Sequence, residues 1–99
     1  MDINEIAKRI DEEIQAGDCA DASGEYWYAT HVNVWQKNGK NRIYVNMTYG
    51  RGNKWKRGVS RYLDLDSMTH HNCSRMYNNV NERNAVEKAI ETVIGELKK

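Results

Sequence analysis

Apolar positions recur with two different periods along the chain, and the change of period divides it into elements. Ile3, Ile6, Ala7, Ile10 and Ile14 repeat at helical spacing, which predicts a helix over residues 2–16 with one apolar stripe and one acidic face. Asp2 followed by Glu5 fits a capping box, and Gly17 fits a C-terminal stop. From residue 25 the period falls to two. EYWYATHVNVWQK and KNRIYVNMTYG both alternate, and Asn38 and Gly39 separate them. A type I′ turn needs positive φ at both central residues, so this dipeptide predicts a hairpin closed by Lys37 and Lys40. The turn also fixes the register. One face then carries Tyr28/Tyr49, Thr30/Met47, Val32/Val45 and Val34/Ile43, and reads as core. The other carries Trp35/Arg42, Asn33/Tyr44, His31/Asn46 and Ala29/Thr48. A slip of one residue would mix the two sets.

GRGN at 50–53 predicts a second turn into a third strand, KWKRGVSRYLDLD. A three-residue loop over 51–53 directs Trp55, Arg57, Val59 and Arg61 inward and Lys54, Lys56, Ser60 and Tyr62 outward. A four-residue loop, or a bulge at Gly58, turns Trp55, Arg57 and Arg61 outward instead. Both registers fit the pattern. DSMTHHNCSRMYNN, beginning at Asp66, is polar and aperiodic, and reads as a loop or one helical turn capped by Ser67. The last segment is a helix beginning near Asn79, or as early as Ser74, with Asn79 or Asn81 as its cap. Its buried stripe is Val86, Ala89, Ile90, Val93, Ile94 and Leu97, and Lys98 and Lys99 suit its negative C-terminal end. The order is α-β-β-β-α. It predicts a single α+β domain over 1–99, a three-stranded antiparallel meander with both helices on one face.

Composition narrows the class. With 99 residues, 39% hydrophobic and 29% charged, the chain has enough apolar surface for one core and no more. No apolar run approaches the ~20 residues of a membrane helix. The acidic, amphipathic start fits neither a signal peptide nor a transit peptide. With only Cys19 and Cys73 present, the expectation is a cytoplasmic protein with reduced thiols. Phe is absent, so three Trp and six Tyr carry the aromatic load.

The net charge of +1 conceals segregation. Residues 1–25 hold eight acids against Lys8 and Arg9. Residues 26–63 hold eight cations (Lys37, Lys40, Arg42, Arg51, Lys54, Lys56, Arg57 and Arg61) and no acid. A basic block interleaved with aromatics is a footprint for a polyanion, because cations neutralise phosphates while rings stack on bases. Neutralisation by the acidic first helix, with Trp35 and Arg42 as a cross-strand cation–π pair, is the structural alternative.

Catalytic chemistry finds little support. His70, His71 and Cys73 near Asp64 and Asp66 match no zinc spacing, His31 has no nucleophile or carboxylate at a recognisable distance, and no phosphate-binding glycine motif occurs. No cofactor or metal is expected. The element order resembles that of double-stranded-RNA-binding domains, although NERNAVEKA offers Arg83 and Lys88 in place of consecutive lysines. It also resembles small bacterial toxin ribonucleases of the HicA type, whose histidine lies on the first strand as His31 does, although YATHVNVW lacks their glycine-serine context. Neither resemblance transfers residues.

The expectation is a protein that works by binding and not as an enzyme. Its contacts with nucleic acid would be Trp35, Lys37, Lys40, Arg42, Tyr44, Lys54, Trp55, Lys56 and Arg57, on the free sheet face and its two turns. Trp, Tyr and Arg are also hot-spot residues of protein interfaces. The second reading is therefore an inhibitor or adaptor docking a host protein through the same face, in the manner of phage or mobile-element anti-defence (anti-CRISPR-like) proteins. A homodimer joining the acidic helix of one copy to the basic sheet of another is a third.

Overall fold

Helix α1 spans Ile3–Ala16 and is capped as its sequence requires. The Asp2 carboxylate accepts the Glu5 amide at 2.9 Å, and the Asp2 carbonyl accepts the Ile6 amide at 3.0 Å. Ile6, Ala7, Ile10 and Ile14 are buried, so the apolar stripe faces inward. The computed structural model describes residues 1–16, 26–73 and 80–99, without the side chains of 26–28, 49, 55–57 and 80–84. The expectations for Gly17, Cys19 and the Asn79 cap lie outside those residues, as do those for the side chains of Tyr28, Tyr49, Trp55, Lys56 and Arg57. Asn81 falls inside the last helix, Val80–Leu97, and so does not cap it.

Strands β1 (Tyr26–Lys37) and β2 (Lys40–Arg51) form the predicted hairpin. Asn38 and Gly39 adopt φ values of 55° and 74°, and each expected cross-strand pair is present, from Lys37↔Lys40 to Ala29↔Thr48. A Cβ on Gly39 would meet nothing within 4 Å, so glycine serves its dihedral and not its surroundings.

Strand β3 (Lys54–Asp64) follows a two-residue turn at Gly52 and Asn53, shorter than either expected loop. Gly50 pairs with Trp55, but Tyr49 pairs with Arg57, so Lys56 is the extra residue of a bulge. A two-residue turn plus one bulged residue restores the parity of a three-residue loop. Val59, Arg61 and Leu63 therefore lie on the helix side, and Ser60 and Tyr62 on the other. Trp55, on the turn side of the bulge, keeps the opposite parity and shares a register row with Trp27.

The meander has a fourth member. Residues 69–72, read from sequence as loop or helical turn, form β4 (Thr69–Asn72), antiparallel to β3, giving the sheet order β1-β2-β3-β4. Its turn is built by polar groups: the Asp64 carboxylate accepts the amides of Asp66 at 2.9 Å and Ser67 at 3.3 Å, and Met68 takes a φ of 56°. Helix α2 (Val80–Leu97) ends the described chain. Both helices cover one sheet face, α1 over β1 and α2 over β3 and β2, and they touch each other. Ile43, Val45, Met47, Val59 and Leu63 meet Val86, Ala89, Ile90, Val93 and Ile94 in one core. The fold is α+β, and none of its described helices is long and apolar enough to cross a membrane.

Leu63 is fully buried in that core, so Leu63→Ala should lower stability by about 2–5 kcal/mol. Gly39→Ala should cost about 1–2 kcal/mol through its positive φ alone. Urea denaturation followed by circular dichroism measures both.

Candidate nucleic-acid interface

The hairpin register decides what lies opposite the helices. Because Trp35 pairs with Arg42 and Asn33 with Tyr44, these residues share a face that no described element covers. The next strands extend the rows: Tyr44 pairs with Tyr62, and Tyr62 with His71. The result is a line of rings running across all four strands. Trp35 meets Tyr44 edge-on at 6.2 Å, Tyr44 lies 5.5 Å from Tyr62, and Tyr62 lies 5.2 Å from His71. The last two pairs are tilted by 37° and 36°. Arg42 is held within this line. Its guanidinium carbon sits 4.6 Å from the Tyr62 ring centroid and 5.5 Å from that of Trp35, and its Nη1 donates to the Tyr44 hydroxyl at 3.2 Å. That hydrogen bond is the largest influence raising the Arg42 pKa, so the charge is permanent.

Trp35, Arg42, Tyr44 and Tyr62 are half-buried by one another, while His71, His31 and Asn33 are exposed. Below the ring line the face becomes polar, with the Ser60 hydroxyl donating to Asn46 Oδ1 at 2.6 Å. The sequence reading found Trp35, Arg42 and Tyr44. It places Tyr62 outward in one of its two registers without counting it as a contact, and it does not reach His71, which joins the face only through β4.

The basic block does not form a single patch. Lys37 and Lys40 flank the first turn, adjacent to the Trp35–Arg42 row. Arg51 and Lys54 close the second turn, at the far end of β2, about 36 Å away at 3.3 Å per residue. The expected contacts therefore divide between the two ends of the sheet, with Lys54 and the backbone of Trp55, Lys56 and Arg57 remote from the rings. Arg57 pairs with Tyr49, a position of the helix-side row. Arg61 leaves the open face altogether: its Nη1 pairs with Glu87 at 3.2 Å and its Nη2 with His70 Nδ1 at 3.0 Å, between the sheet and α2. Nor does the acidic helix neutralise the block through any ion pair seen among the described residues. Acids of α1 gather on their own cation instead, with Arg9 bonded to Glu13 and, at 2.7 Å, to Glu96 of α2.

The two adjacent histidines serve opposite faces. His70 is on the helix side, 3.3 Å from Glu91, and His71 is in the ring line, 2.8 Å from the Thr69 hydroxyl. Among the described residues, no three His, Cys, Asp or Glu side chains converge as metal ligands would. The thiol of Cys73 is free.

The ring-bearing end of the sheet is braced from β2. Asp66 accepts the Asn41 amide and the Asn41 side-chain amide, both at 3.1 Å, while the Asn41 carbonyl accepts the Leu65 amide at 3.0 Å. Comparisons of the chain with protein-family models, with curated proteins and with solved structures give no match.

The Asn41 side-chain hydrogen bond, then its backbone amide, holds the Asp66 carboxyl below its ordinary pKa of 3.8. A lowered pKa stabilises the fold above the unfolded-state value, and that contribution is lost as pH falls through the folded-state value. Asp66→Ala should therefore lower Tm at neutral pH, and the difference from wild type should vanish as the pH drops below 3.8, in thermal melts across an acid series.

Proposed function

We propose that this protein binds single-stranded nucleic acid, without catalysis, on the open face of its sheet. The ring line from Trp35 to His71 carries the proposal, since stacking on aromatic side chains contributes ~1–3 kcal/mol per base and tolerates any sequence. Four strands with aromatics on one face offer room for about two or three bases. Arg42 among the rings supplies a cation for a backbone phosphate, and Lys37 and Lys40 extend the positive potential beyond the ring line at the same end of the sheet. The remote cations at the second turn are not needed for this contact. The site thus contracts from the nine residues expected at both turns to Trp35, Lys37, Lys40, Arg42 and Tyr44, joined by Tyr62 and His71.

Binding of a fluorescent oligonucleotide, read by anisotropy at ~50 and ~200 mM salt, tests this. Contact with about three phosphates gives a slope of log K against log salt near −2. Trp35→Ala and Tyr62→Ala should each weaken binding by ~1–3 kcal/mol, whereas Lys88→Ala, on the solvent side of α2, should change nothing. No binding at the lower salt overturns the proposal. A nuclease-resistant protein complex that Trp35→Ala dissolves would assign the same face to a protein partner instead.

A further inference from the structure

The two edges of the sheet are built differently. One is β4, four residues long and polar, the short kind of edge strand that limits unwanted pairing. The other is β1, twelve residues long, and among the described residues no strand pairs with its outer edge. Between Ala29 and Gln36 it carries no Lys, Arg, Asp, Glu or Pro, the usual protections of an edge. The closing pair Lys37↔Lys40 of a two-residue turn is a hydrogen-bonded pair, and such pairs alternate along the ladder. The odd-numbered residues of β1 therefore bond to β2, and the N–H and C=O groups of Thr30, Val32, Val34 and Gln36 point outward. Alongside them runs an open groove of about 560 Å³, floored by residues 30–34 and walled by α1 through Ala7, Lys8 and Asp11.

We propose that the outer edge of β1 pairs antiparallel with β1 of a second copy, about a two-fold axis at Val32. The groove centres on that residue, and Thr30 then faces Val34 of the other copy. Directly opposed residues of an antiparallel pair project to the same face, so the four helices lie on one side of an eight-stranded sheet. The charges choose a second copy over an unrelated strand. The groove wall carries one cation and one anion, and the two-fold brings Lys8 toward the other copy's Asp11 twice, so the surface is complementary to itself. A net charge of +1 adds little mutual repulsion. This geometry differs from the pairing of acidic helix with basic sheet that charge segregation alone suggests.

Sedimentation equilibrium of the protein without nucleic acid is the test, over a concentration series and in low and high salt. The wild type should dimerise, and the dimer should survive ~0.5 M salt, because backbone hydrogen bonds carry it. Thr30→Pro removes an N–H that β2 does not use, so the variant should keep its circular dichroism and become a monomer. Asp11→Lys should weaken the dimer about tenfold or more, and the exchange Lys8→Asp/Asp11→Lys should restore it. That rescue decides the matter even if the proline variant fails to fold. A wild type that stays monomeric throughout overturns the inference. So does a dimer that salt dissolves, one that persists in folded Thr30→Pro, one that Asp11→Lys leaves unchanged, or one that the exchange fails to restore.

Discussion

Positive φ at Asn38 and Gly39 sets the phase of the sheet. A hairpin turn of two residues admits one register, and in a pleated strand that register decides for every residue whether it faces the helices or the opposite side. Val32, Val34, Ile43, Val45 and Met47 pack toward α1 and α2 because Lys37 is paired with Lys40. For the same reason Trp35, Arg42 and Tyr44 stand together on the other face. Burial of the apolar set reinforces the turn, since a slip of one residue would turn the apolar side chains of one strand outward and its polar ones inward, mixing the two sets. Core and candidate site are two sides of one constraint.

The second turn shows how that phase is carried onward. Gly52 and Asn53 form a turn that by itself would invert the parity of β3, placing Val59 and Leu63 on the open face. The bulge at Lys56 corrects the inversion, and burial of Val59 and Leu63 rewards it. Tyr62 consequently falls in line with Tyr44. Arg61 is carried to the helix side, where Glu87 and His70 receive it. A cation that the sequence places in a basic block thus becomes a bracket between sheet and helix.

Legibility followed the physical source of each element. The helices, the first hairpin and the core were readable because apolar periodicity and one turn dipeptide specify them. The loop length and bulge of β3 were not, because two combinations give the same parity and the pattern of inward residues cannot separate them. Strand β4 was invisible because THHN is polar on both faces. It is created by the Asp64 carboxylate, which gathers two amides, and by Tyr62 stacking on His71. The separation of Lys37 and Lys40 from Lys54 was also hidden, because residues near in sequence lie at opposite ends of a twelve-residue strand.

The arrangement keeps the core and the candidate binding surface apart: the aliphatic core lies on one side of the sheet, and the line of rings around the Arg42 guanidinium lies on the other. The most direct test of that division is a two-dimensional NMR titration of the isotopically labelled protein with an unstructured oligonucleotide. Signals of Trp35, Arg42, Tyr44, Tyr62 and His71 should move together while those of Ile10, Ile90 and Val93 stay in place. Movement confined to the helices, or none at any protein-to-oligonucleotide ratio, would contradict the account.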